Sequence, residues 1–338
     1  MGSSKIEWTE KTWNPVTGCT PVSPGCDHCY AARMATRLAG RAGYPADNPF
    51  AVTCHPDKLD QPLHWRKPCR VFVCSMGDLF HPDVPDSFID QVFAIMAACP
   101  QHTFQVLTKR PERMVKYLHN YGHAHLWDRI YAAARTLPEH KVLKRNLLNI
   151  QYFPAWPLPN VWLGVTCEDQ QRADERIPLL LQCPAAVRFV SCEPLLGPVD
   201  LGIRCNVPGM DCVDCPAPEC SLRGNERQVD WVICGGETGP GARPMHPDWA
   251  RSLRDQCKAA GVAFFFKQWG GWVPETQNTQ ALTERTARTA LYVEPDGTTR
   301  PAKYGARGEA ATVQRVGKKR AGRLLDGVEY SEYPEVRA

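Results

Sequence analysis

Val161-Trp162-Leu163-Gly164-Val165 is a short apolar run that gives way to the polar residues Thr166 and Glu168. It is rich in β-branched and aromatic residues and too short for a buried helix, so it reads as a strand covered on both faces. The same pattern recurs at Val71 to Cys74, Thr103 to Leu107, Arg188 to Val190, Trp231 to Cys234 and Val262 to Phe266. Helix candidates lie between these runs, at Ser87 to Ala98, Pro111 to Tyr121, Gln170 to Leu181 and Pro247 to Ala260. Strand–helix alternation predicts a parallel sheet with helices outside it. The fold class is therefore α/β, a partial or complete parallel (β/α) barrel.

In such a barrel the C-terminal strand ends form the functional face. Polar residues follow each run: Ser75, Gly77 and Asp78; Thr108, Lys109 and Arg110; Thr166 and Glu168; Ser191 and Glu193; Gly235 to Glu237; Lys267 and Gln268. These ends are expected to converge on one mouth, although any one residue alone also reads as a loop charge or a strand-end ion pair. Residues 1–272 are assigned to the barrel, with a Cys- and Pro-rich insertion over 204–228, and 273–338 to a C-terminal extension.

The chain has 338 residues, 43% of them apolar, enough for a large core. A formal charge of +4 permits a nucleic-acid partner without arguing for one. No run of about 18 apolar residues marks a membrane span, and the polar N-terminus has no apolar signal core. The expected location is the cytoplasm. Sixteen cysteines in a reducing compartment predict metal where they cluster and core packing where they scatter.

The densest cluster is Cys19-Thr-Pro-Val-Ser-Pro-Gly-Cys26-Asp-His-Cys29-Tyr30. Thiolates are soft ligands for iron–sulfur clusters and zinc. Two are held close by the Cys-x2-Cys step, and the loop containing Pro21, Pro24 and Gly25 can bring Cys19 back to them. A closed zinc site wants four ligands, so three cysteines favour a cluster, and His28, between Asp27 and Cys29, is awkwardly placed as a fourth ligand. A second group, Cys205, Cys212, Cys215 and Cys220, suits structural zinc or an auxiliary cluster.

The first motif resembles the radical S-adenosylmethionine superfamily, whose usual spacing is Cys-x3-Cys-x2-Cys with an aromatic residue before the last cysteine. Cys26, His28 and Cys29 match its second half, with His28 in the aromatic place; the first spacing here is six residues. The stretches Lys5 to Cys19, Leu107 to Arg113, Gly164 to Glu168, Phe189 to Gly197 and Gly235 to Gly239 together resemble a phage- and bacteria-associated three-cysteine-motif family of little-known function. That likeness covers about Lys5 to Gly270 and the Gly317 to Tyr333 tail.

The resemblance implies a barrel of the radical S-adenosylmethionine type. It also implies a 4Fe-4S cluster on Cys19, Cys26 and Cys29, with one iron open to the amino and carboxylate groups of S-adenosylmethionine. One electron then cleaves the sulfonium bond and gives a 5′-deoxyadenosyl radical, which takes a hydrogen atom from substrate. An electron donor such as flavodoxin or ferredoxin is implied too. On strand position, Ser75, Gly77 and Asp78 suit the methionine amino group, and Thr166, Glu168 and Ser191 suit ribose hydroxyls or that amino group. His28 and Tyr30 border the cofactor. Lys109, Glu193 and Glu237 are the candidates for catalysis. Basic and aromatic residues interleave at His64 to Lys67, Lys109 to Arg113, Arg243 with His246, and Lys267 to Trp269, which suits phosphate contacts and base stacking or, more plainly, a solvated face. The expected substrate is nucleic acid or a nucleotide, for modification or repair. A peptide or small metabolite, or a zinc-stabilised nucleic-acid binder without catalysis, are the alternatives.

Overall fold

The computed structural model describes residues 4–119, 122–152, 156–203, 228–277, 289–302 and 308–335. All six apolar runs join one parallel sheet, and a seventh strand precedes them. The strands are β1 (Lys11–Trp13), β2 (Arg70–Val73), β3 (Thr103–Thr108), β4 (Val161–Thr166), β5 (Val187–Cys192), β6 (Trp231–Gly235) and β7 (Ala263–Gln268). Their spatial order is their chain order, so the sheet winds in one direction. It curls into a half-barrel, since β1 and β7 do not pair. The helices are α1 (Tyr30–Leu38), α2 (Asp86–Ala98), α3 (Pro111–His119), α4 (Gly122–Thr136), α5 (Lys141–Tyr152), α6 (Gln170–Gln182) and α7 (Pro247–Ala260). None among the described residues is long and apolar enough to cross a membrane.

Two-residue alternation along the strands separates two cores. Val71, Phe104, Leu163, Val165, Val190 and Val232 face the helices in the main core. Trp162, Val187, Phe189, Trp231, Ile233 and Phe265 face inward and form a second cluster with Trp8. Such aromatic side chains bury about 150–250 Å² each, so this cluster is a solid floor beneath the C-terminal mouth. Gly164 makes room for it: a Cβ there would lie 2.5 Å from the Phe189 ring.

The helices begin and end on chemically legible residues. Asp169 caps α6 by accepting from the Arg172 amide at 2.9 Å. Pro247 opens α7, and Gly261, with φ +66°, closes it in the left-handed conformation that favours glycine. Seven of the scattered cysteines, at 74, 99, 167, 183, 192, 234 and 257, are buried, as core packing predicts, and every described cysteine is free.

Beyond β7 a four-stranded antiparallel sheet forms from β8 (Trp272–Pro274), β9 (Leu291–Val293), β10 (Thr299–Pro301) and β11 (Ala311–Arg315). A short helix, α8 (Lys318–Ala321), follows. The chain then returns to the half-barrel: the Phe266 amide donates to Tyr330 and the Glu332 amide to Phe264, along the free edge of β7. Tyr333 stacks on Trp231 at 5.3 Å and lies 4.0 Å beneath the Arg70 guanidinium at the start of β2. From the other end of the chain, Trp8 sits between Phe72 and Trp231. Both chain ends therefore span the open side of the half-barrel.

Candidate functional site

The cysteine loop leaves β1, crosses the C-terminal mouth of the sheet and enters α1 at Tyr30. Two close backbone contacts set its path. The Asn14 side-chain oxygen accepts from the Met76 amide at 2.9 Å and the Ser75 hydroxyl at 3.2 Å, tying β1 to the loop after β2. Gly18 and Gly77 then meet in a parallel bridge, and a Cβ on Gly77 would lie 3.0 Å from the Gly18 carbonyl. The close approach that Gly77 permits is thus that of the chain's own backbone.

Cys19, Cys26 and Cys29 line one cavity of 280 Å³ at this mouth. That is near the lower end of the roughly 300–1,000 Å³ of ligand sites. His28, Tyr30, Ser75, Gly77, Asp78, Lys109, Thr166, Glu193 and Glu237 line it as well. The expected convergence of strand ends therefore holds for these positions. Ser191 and Glu168 lie behind the wall, buried and outside the lining. Phe72 and Leu107 supply an apolar base.

Two cations reach the thiols. Arg110 Nη1 donates to Cys19 Sγ at 3.2 Å and to Asp78 Oδ2 at 3.0 Å, while Nη2 donates to the carbonyl and hydroxyl oxygens of Thr20 at 2.8 and 2.9 Å. Lys109 Nζ is 3.6 Å from Cys26 Sγ and 3.7 Å from Glu168. Burial raises the Cys26 thiol, but the Lys109 ammonium and hydrogen bonds around Val22 and Ser23 outweigh it, and the net direction is down. At Cys19, burial and the nearby Asp78 charge prevail over Arg110, and the thiol is pushed up.

The carboxylates do structural work on this loop. Asp78 accepts from the Thr108 hydroxyl at 2.8 Å, the Phe80 amide at 3.0 Å, the Lys109 amide at 3.2 Å and Arg110. Its oxygens are occupied in orienting the two cations. Glu168, with no exposed surface, pairs with Arg176 at 3.0 Å and accepts from the Gly25 amide at 3.3 Å. Burial raises its carboxyl, yet Lys109 and Arg176 together hold it below the usual carboxylate range.

A second clamp acts from β6. Glu237 accepts from His28 Nδ1 at 3.0 Å and from the Arg243 side chain at 2.6 and 2.9 Å. Arg243 in turn reaches Asp27 at 3.2 Å and the Pro24 carbonyl at 2.8 Å. Burial alone would raise Glu237, but the hydrogen bonds from Arg243 and His28 depress it. Glu193 is separate: it pairs with Lys267 at 2.5 Å, across the end of β5 and the inner face of β7.

One family model spans residues 3–334. The chain belongs to the DUF5131 family. The description of that family is a protein of unknown function. No curated protein and no solved structure matches the chain.

In this DUF5131 chain no three His, Cys, Asp or Glu side chains among the described residues form a group that would hold a single metal ion. The three loop thiols border a common cavity. Cys205, Cys212, Cys215 and Cys220 lie outside the described residues. Asn14, Thr20, Arg176 and the pairing of Arg243 with Glu237 are site-building features that sequence reasoning missed. The only local signal was Asn14, just after an unrecognised strand.

Proposed function

We propose that this chain is an iron–sulfur enzyme of the radical S-adenosylmethionine type, with Cys19, Cys26 and Cys29 as the cluster ligands. The observation that carries this reading is the position of the cysteine loop. It joins the first strand of a parallel half-barrel to the first helix and brings three thiols to one cavity at the C-terminal mouth. Three thiolates brought to one cavity suit a cluster with one open iron. When bound, such a cluster supplies the single electron that cleaves the sulfonium bond of S-adenosylmethionine.

The chain's own residues have separate tasks in this reading. Lys109 and Arg110 donate charge-assisted hydrogen bonds to two of the thiolates. The Glu237–Arg243 pair and Glu168 fix the loop from opposite sides. Phe72, Leu107 and the aromatic floor keep water from the base of the cavity. Ser75, Thr166 and Glu193, on the wall, are left to orient cofactor and substrate. The proposed substrate is nucleic acid or a nucleotide. In support, Tyr30 stands 57% exposed at the rim as a stacking surface, and Arg37, Arg41 and Arg315 are exposed cations. Arg315 donates to the Gly239 carbonyl at 3.3 Å, beside the cavity-lining Thr238.

The test is anaerobic reconstitution with iron and sulfide, followed by spin resonance and assay of 5′-deoxyadenosine after reduction with S-adenosylmethionine. The expected result is a reducible four-iron signal that changes with the cofactor, release of 5′-deoxyadenosine, and loss of both in Cys26→Ala. Stoichiometric zinc with no cofactor cleavage would overturn the reading and favour a non-catalytic nucleic-acid binder. Cofactor cleavage stimulated by peptides or metabolites, but not by nucleic acid, would retain the enzyme class and overturn the substrate.

A further inference from the structure

The cluster thiols are not equivalently surrounded. Cys19 has the Arg110 guanidinium at 3.2 Å and Cys26 has the Lys109 ammonium at 3.6 Å. Among the described residues no side-chain donor is recorded on Cys29 Sγ, which belongs to the N-cap residue of α1. The two cations come from adjacent positions just after β3, so one strand end serves two ligands. They are held in place from behind. Asp78 fixes Arg110 and accepts from the Lys109 amide, while Glu168 stands 3.7 Å from the Lys109 ammonium. Arg176 pairs with Glu168 on its far side. Among these side chains three cations face two carboxylates, which leaves one positive charge in excess beside the thiols.

That arrangement has a redox consequence. The potential of a thiolate-bound cluster depends on its net charge, on hydrogen bonds to its sulfurs and on its exposure. Reduction adds one negative charge. A fixed cation within hydrogen-bonding distance of a ligand sulfur stabilises the reduced form more than the oxidised form. In a partly buried site, water and salt screen this little. N–H donation to the sulfur acts in the same direction, by drawing electron density from the thiolate.

We infer that Lys109 and Arg110 are positioning residues that raise the reduction potential of the cluster proposed above, an inference that rests on that reading. The step is a one-electron transfer: the oxidised cluster is reduced by an external low-potential donor, which is itself oxidised, and no bond is made or broken. Lys109 is the cleaner probe. It is partly exposed, and Glu168 keeps Arg176 as a partner when the ammonium is removed.

The experiment is a potentiometric titration of the reconstituted full-length chain with dithionite and mediators at constant pH, followed by spin resonance and iron content. Lys109→Met and Arg110→Gln are expected to load iron as the parent does and to have midpoints shifted to more negative potential. Lys109→Arg, which keeps the charge, is expected to stay near the parent value. Fully loaded Lys109→Met at the parent midpoint would overturn the inference and leave the proposed function standing. Loss of the cluster from Lys109→Met, with a loaded parent, would also overturn it, because Lys109 would then serve assembly and not potential. A parent chain that loads no iron would sink the proposed function itself.

Discussion

At the scale of single residues, Glu168 is the most constrained group near the cavity. It has no exposed surface, pairs with Arg176 and Lys109, and holds the Gly25 amide of the cysteine loop. Removing one partner of a buried ion pair strands the other, at a cost of about 3–5 kcal/mol. Glu168→Gln is therefore expected to lose about that much stability in urea unfolding at neutral pH. Its folded-state carboxyl lies below the unfolded value of about 4.3. The stability it contributes is thus complete above that value and is lost as the pH falls through the lower folded one. Glu168→Gln has no such proton to take up, so its stability should fall less steeply on the acid side, by up to about one proton per molecule. Equal acid slopes in the two proteins would show that folding does not depress the Glu168 carboxyl. None of these partnerships could be read along the chain. Glu168 was legible as a polar strand end, but Gly25 lies 143 residues away in sequence. The cysteine motif, in contrast, was legible because its spacing is local.

At the scale of elements, strands were legible where both faces are buried, since a continuous apolar run of β4 type has no competing explanation. The strand β1 escaped because it is only three residues long and its Lys11 and Thr12 are not apolar. The C-terminal sheet escaped for a related reason: β10, Thr299–Pro301, is largely exposed and carries no apolar face to announce itself. The turn after β6 shows how backbone packing between elements shapes the site. A Cβ on Gly236 would overlap the Trp269 carbonyl, whereas one on Gly235 would meet side-chain atoms at ordinary contact distance, Glu193 at 3.4 Å and Lys267 at 3.5 Å. Adjacent glycines thus have different requirements. Gly236→Ala should cost about 1–3 kcal/mol, as forced overpacking does, and should displace Glu237 from His28 and Arg243. Gly235→Ala should change stability by less than about 1 kcal/mol. Thermal melts of the two variants decide this, and equal losses would mean that the Gly236–Trp269 contact does not constrain the turn.

At the scale of the whole molecule, a half-barrel has a structural problem that a closed barrel lacks: its first and last strands expose edges, and its inner face is open on one side. Here the two chain ends cover the β7 edge and pack on the inner face. The segment around Tyr330 to Glu332 pairs with β7, and Tyr333 continues across to Arg70 at the opposite side of the sheet. Tyr333 packs on Trp231 and on Phe265, at 5.3 and 5.7 Å, beneath the cavity floor. Two aromatic contacts and one cation–π contact amount to about 2–4 kcal/mol. Tyr333→Ala is accordingly expected to lower the unfolding free energy measured in urea by that amount and to expose the floor tryptophans, seen as a red shift in their fluorescence and faster quenching by iodide. Tyr333→Phe retains the ring and should behave as the parent. If Tyr333→Ala instead unfolds within about 0.5 kcal/mol of the parent, with unchanged fluorescence, the tail merely lies on the sheet. The packing of Trp8 between Phe72 and Trp231 would then be what seals the inner face, and Trp8→Ala would be the variant that opens it.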